Sequence, residues 1–146
     1  MYNETITIFN RVGARNASDK WYPHVLHNVC VYRDHAAMVA TLGENTTDTV
    51  SIIITIERGV TASGYKYLQP IEWRNAGEYE AAFTVKGGND FDFVYCGEWT
   101  GGTVDDDDYQ DGFFNHMLLN YDSVYLVTSV SDYSRSLLPH LEVIGK

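Results

Sequence analysis

The densest set of chemically capable side chains in this 146-residue chain is the run Asp105-Asp106-Asp107-Asp108, followed by Tyr109-Gln110-Asp111-Gly112. Clustered carboxylates ahead of a glycine invite a calcium loop, in which side-chain oxygens at alternate positions converge around a sharp turn. Placing Gly112 at loop position six puts Asp107 at one and Asp111 at five. Tyr109 then occupies position three and Leu118 position twelve, and neither supplies a carboxylate. The run reads instead as a solvated acidic loop tip. His24 and His27 lie three apart in a strand-like stretch and point to opposite faces, so they cannot hold one ion together. His35, His116 and His140 stand without a cysteine or carboxylate at ligand spacing. Carboxylates are plentiful, but a hydrolytic pair must stand about 5–9.5 Å apart, and nothing in the spacing sets that separation. No G-x-S-x-G, Walker A, G-x-G-x-x-G or C-x-x-C occurs. The expectation is a protein that is not an enzyme and uses no metal or cofactor.

Ten basic residues are scattered against twenty acidic ones, for a net charge of −10. Duplex phosphates call for clustered Lys and Arg, so sequence-specific nucleic-acid binding is not expected. An acidic surface that lets DNA pass without sticking fits the same numbers. The start, MYNETITIFNRVG, has neither the basic beginning nor the apolar stretch of a secretory leader. No apolar run reaches the roughly 18 residues of a membrane-spanning helix, and no membrane partner is expected. Sequons at Asn3, Asn16 and Asn45 carry no weight without secretion. Cys30 and Cys96 sit in apolar, strand-like runs and read by default as two buried thiols, with a bridge between them left open.

The elements that would position any site are mostly strands. The length suits one domain that folds without a staple. Tyrosine, at eleven residues, dominates the aromatics and suits half-buried strands or protein contacts. Residues 5–9 alternate and are rich in β-branched side chains. Residues 21–32 form a long candidate, with Val25, Val29 and Val31 on one face and Leu26, Cys30 and Tyr32 on the other. Val50, Ile52, Ile54 and Ile56 make the cleanest strand face. Residues 83–85 and 91–96 flank a turn signal at 86–90, which predicts a hairpin. Phe91, Phe93 and Tyr95 share a face that a small barrel or sandwich could bury. One short helix is expected over residues 111–120, with Phe114, Met117 and Leu118 on its stripe, and residues 36–42 could add a turn.

The close is the most emphatic segment. An apolar run over 124–130 stops at 132–136, and a second run over 137–144 follows, which predicts a terminal strand pair. The fold class is therefore mainly β: a small β-barrel or sandwich over residues 1–146, with long loops and one short helix before the final strand pair. Three connections, 33–49, 58–82 and 98–111, exceed the roughly 12–15 residues beyond which a loop is usually functional or disordered.

In order, these pieces resemble the head-closure, or stopper, proteins of long-tailed phages and prophages. Ile6-Thr7-Ile8-Phe9-Asn10-Arg11 is similar to their first strand, and Trp21 onward to Asn28-Val29 to their second. Residues 50–56 take the place of their central strand, and Phe91-Asp92-Phe93-Val94-Tyr95-Cys96-Gly97 that of a "gD-x-i-v-x-G" strand, without the usual Gly before Asp92. The ending, Val127-Thr128-Ser129-Val130-Ser131-Asp132, then Leu138-Pro139-His140-Leu141-Glu142-Val143 and Gly145-Lys146, is similar to "I-x-S-V-x-D … l-p-H-w-x-V-x-G-k". Leu141 stands where that ending often has Trp.

The resemblance implies a structural virion protein of the phage neck, assembled in the host cytoplasm. Such a protein would form a ring of its own copies, with a dodecamer as the candidate stoichiometry. The ring would sit below the portal and adaptor ring and above the tail terminator or tail tube, and packaged DNA would pass through its lumen without sequence-specific binding. A loop between early strands would gate the channel, which by order places Asp34, His35, Glu44 and Asp48 in the gate. The 58–82 loop, with Tyr65, Tyr67 and Trp73, would clasp a neighbouring subunit or serve as the gate itself. Ser129, Val130, Asp132, Pro139 and His140 carry the closing motif. Two alternatives compete: a tail-terminator protein, and a monomeric ligand-binding β-module using Trp73, Trp99 and the tyrosines as an exposed platform.

Overall fold

The computed structural model describes residues 3–14, 17–34, 49–88 and 90–146. Six strands close on one another: β1 (Glu4–Ala14), β2 (Ala17–Asp34), β3 (Thr49–Glu57), β7 (Phe93–Tyr95), β9 (Val124–Tyr133) and β10 (His140–Gly145). The antiparallel order β1-β2-β3-β10-β9-β7 returns to β1, making a closed six-stranded barrel. Its interior is filled from every strand, by Ile6 and Ile8, Leu26 and Val29, Val50 to Ile56 at alternate positions, Val94, Val127, and Leu141 with Val143. The inward set of β3 is the Val50-Ile52-Ile54-Ile56 face that its alternation predicts. Two lateral extensions complete the sheet. β4 (Val60–Thr61), β5 (Lys66–Tyr67) and β6 (Ala82–Phe83) run outward from β3, and β8 (Val104–Asp105) pairs with β2.

β2 departs from simple alternation. Glu4 pairs with Val29 but Ile6 with Leu26, so β2 carries an extra residue there, and Asn28 takes a left-handed φ of 59°. This bulge bends the strand from its pairing with β1 toward β3. It also resets the faces: Leu26 and Val29, expected on opposite sides, both enter the interior.

Among the described residues, two helices cover the barrel from outside. α1 (Pro70–Ala76) falls inside the segment expected as a long loop, and α2 (Phe113–Asn120) is the expected helix before the final strand pair. Pro70 opens α1, where a missing N–H costs nothing, and Gly77 closes it with φ 71°. On α2 the buried stripe is Phe113 and Met117, four apart, while Leu118 is exposed and Phe114 half-buried. The stripe is thus one residue off the expected one. Phe113 and Met117 pack with Phe9, Trp21, Phe93 and Val124, so β1 and β7 are buried on both faces. The Phe91-Phe93-Tyr95 face is covered by this helix, outside the barrel.

The hairpin expected across residues 86–90 does not form a ladder. β6 pairs in parallel with β5, and both edges of β7 are taken by β1 and β9. The turn closes through Asp92, whose N–H donates to the Lys86 carbonyl at 2.9 Å and whose carboxylate accepts from the Lys86 N–H at 3.0 Å. The 98–111 connection holds β8 and a short 3-10 turn at Asp106–Asp108. Asp106 accepts from the Trp21 indole and from the Phe113 N–H, both at 2.9 Å, so one carboxylate of the acidic run fixes the start of α2. Residues 36–42 lie outside the described residues.

Candidate functional site

The closing strand pair forms as its pattern predicts, β9 against β10 from Tyr133–His140 to Val127–Gly145. Its inner half belongs to the barrel and its outer half projects. Ser129 and Asp132 are exposed, and Val130 is half-buried. The Pro139 carbonyl accepts from the Ile56 N–H at 3.1 Å, tying the hairpin's return to β3. His140 stacks on Tyr133 with ring centroids 4.9 Å apart, and its Nδ1 lies 2.6 Å from the Leu138 carbonyl. At the tip, Leu137 and Leu138 are almost fully exposed, at 101% and 80%.

Two groups of expected residues meet here. The Asp132 carboxylate accepts from the Ser134 N–H at 2.8 Å and from the Gln69 amide at 3.4 Å, and it also bonds the Tyr67 hydroxyl. Burial pushes the Asp132 carboxyl up, but the bonds from Ser134, Gln69 and Tyr67 outweigh it and hold the group below its ordinary value. Burial, reinforced by this carboxylate, raises the Tyr67 phenol. The contact pins the outer hairpin onto the segment between β5 and α1. Tyr65 is half-buried and meets His24 edge-on at 5.1 Å. Trp73 is nearly buried: it is 3% exposed, packs on Tyr22 and Tyr79, and donates its indole N–H to the Ala82 carbonyl at 2.7 Å. Most of this ring is thus spent on packing within its own chain. Trp99 packs on Phe9 and Phe113, against a different cluster, so the two tryptophans form no shared exposed platform.

Asp34 ends β2, where its backbone pairs with Thr49. His35, Glu44 and Asp48 lie outside the described residues. No disulfide joins Cys30, which is buried, to Cys96, which is half-buried. Burial lowers His24 to about 4, so the ring is neutral and its Nε2–H donates to the Tyr79 carbonyl at 2.8 Å. His27 is exposed on the other side of the strand. Among the described residues no cluster of three or more metal-ligating side chains forms, and no helix is long and apolar enough to cross a membrane.

The polar residues that the sequence did not single out gather at the outer end of β1. Asn10 and Asp92 are fully buried. The Asn10 amide donates to Asp92 Oδ2 at 2.9 Å and to the Thr84 carbonyl at 2.7 Å, while the Arg11 N–H donates to Asp92 Oδ1 at 3.0 Å. Burial pushes the Asp92 carboxyl up to about 7, against the pull of these donors and the Lys86 ammonium. A buried carboxylate surrounded by N–H donors fastens the 84–92 segment to the barrel wall. Beside this cluster lies a groove of about 480 Å³ between β1 and α1, lined by Arg11, Asp19, Arg74, Lys86, Thr84 and an apolar wall that includes Ile71. A signal was present: Asn10 and Asp92 interrupt apolar strands at their most buried positions, where a polar side chain requires a partner.

Across its whole length, residues 1–146, the chain matches and belongs to DUF6751, a family of unknown function. No curated protein and no solved structure matches it.

Proposed function

We propose that this chain is a head-closure (stopper) protein of a long-tailed phage or prophage. In this reading it forms a ring beneath the portal and adaptor, retains the packaged genome, and presents the surface on which the tail terminator or tail tube docks. One observation carries the reading. The six segments that bear the resemblance, beginning at Ile6, Trp21, Val50, Phe91, Val127 and Leu138, supply the six strands of the closed barrel, one each. Two further features support it. A net charge of −10 repels phosphates, so DNA threading past such a ring neither sticks nor stalls. The outer β9–β10 hairpin carries the motif residues Ser129, Asp132 and His140 away from the core, with Leu137 and Leu138 at its tip. A closed ring needs such a heterologous contact, one patch meeting a different patch on the next copy.

The test is microscopy of particles assembled without this protein. Heads emptied of DNA beside separate tails support head closure. Filled heads beside tails of uncontrolled length assign the tail-terminator role instead. Normal joined particles sink both readings.

A further inference from the structure

We infer that the groove between β1 and α1 is a binding site for a small oxyanion, a phosphate or carboxylate group carried on an apolar body. The chain is strongly acidic, with only ten Lys and Arg residues. Three of these, Arg11, Arg74 and Lys86, line this one groove against two carboxylates, Asp19 and Asp90. Three cations less two anions leave one net positive charge, opposite in sign to the chain as a whole.

The pairing within the groove sharpens the point. Asp19 is committed to Arg11, with Nε and Nη2 of the guanidinium 2.7 and 2.6 Å from its Oδ2. Arg11 is further seated over the Trp21 ring, 5.4 Å from its centroid. Arg74 and Lys86 have no ion-pair partner among the described residues. Thr84, 1% exposed, also lines the groove, and its buried hydroxyl has no hydrogen-bond partner among the described residues. Leaving a buried hydroxyl without a partner is costly, and an acceptor bound beside these two cations would satisfy it. Val12, Pro70, Ile71 and Trp73 supply the apolar wall, and the volume falls within the range of about 300–1,000 Å³ typical of small-molecule sites. This assignment does not depend on the head-closure reading.

The experiment is a titration of the isotope-labelled full-length protein, followed by amide NMR. Phenyl phosphate and benzoate serve as probes at constant ionic strength. Saturable shifts confined to Arg11, Val12, Thr84 and Lys86 are expected, and the tighter probe identifies the oxyanion as phosphate or carboxylate. The double variant Arg74→Gln, Lys86→Gln should weaken binding by about tenfold or more, as loss of charge-assisted bonds requires. Thr84→Val should weaken it too, while a hydroxyl that serves only packing would leave affinity unchanged. Absence of saturation up to concentrations on the order of 50 mM, shifts spread over the whole surface, or wild-type affinity in the double variant would each overturn the assignment.

Discussion

Replacing Asp92 with Asn separates the charge of the buried carboxyl from its shape. The native group is buried among N–H donors from Arg11, Lys86 and Asn10, and burial lifts it from 3.8 to about 7. A group raised in the folded state keeps its proton there longer than in the unfolded chain. Its contribution to stability is therefore full below pH 3.8 and is lost as pH rises through about 7. At about 1.4 kcal/mol per pH unit, that window is worth about 4 kcal/mol. Asp92→Asn does not titrate, but its amide nitrogen faces an N–H, which leaves a buried donor unsatisfied at a cost of about 1–3 kcal/mol. The variant should thus be the less stable protein near pH 4.5, and should close or reverse the gap by pH 8.5. Urea unfolding followed by tryptophan fluorescence at both pH values reads the difference directly, because every other titrating group is common to both proteins. A gap that does not change with pH would mean that burial leaves the carboxyl unshifted. A gap that widens with pH would mean that the three donors outweigh burial, and either result refutes the reasoning.

His24 should produce the opposite slope: depressed from 6.5 to about 4, it contributes stability that is lost as pH falls through that window, about 3 kcal/mol in all. His24→Phe should flatten the acid side of the stability curve, and an unchanged acid loss in the variant would assign it to other groups. Gly87→Ala should destabilise by roughly 1–3 kcal/mol, because a Cβ there would lie 2.8 Å from the Thr128 carbonyl oxygen on β9; an unshifted thermal midpoint would show that the 86–88 segment yields easily. Arg58→Asn should stabilise by about 0.4–1 kcal/mol, since Arg58 and Gly59 form the two-residue turn between β3 and β4 with φ of 53° and 80°, a conformation Asn adopts more readily. A lower midpoint would mean that the Arg58 side chain contributes a contact of its own.

The barrel was legible where one face alternates and one period holds. The β3 face and the β9–β10 pair follow from side-chain order alone, because a strand's geometry maps sequence parity directly onto direction. β2 was legible as a strand but not in its faces, since a single inserted residue at Asn28 inverts the parity of everything beyond it. α1 was hidden because Pro70 and Gly77 bracket only seven residues, too few for periodicity to be recognised. The hairpin across 86–90 failed for a different reason. Turn chemistry specifies a reversal of the chain, but not which strand takes the edge, and here Asp92 closed the turn from within. The groove was the least legible, because Arg11, Arg74 and Lys86 come from three separate segments that only tertiary packing brings together.

Barrel closure has a consequence for how copies of this protein can associate. At the two ends of the strand order stand β6 and β8, each two residues long. Among the described residues, these two ends offer almost no template for one chain to add a strand to another. Assembly at these two ends would rely on side chains and not on shared hydrogen-bond ladders. Contacts of that kind respond to salt and can be undone, whereas a continuous sheet between subunits would lock them into a fibre.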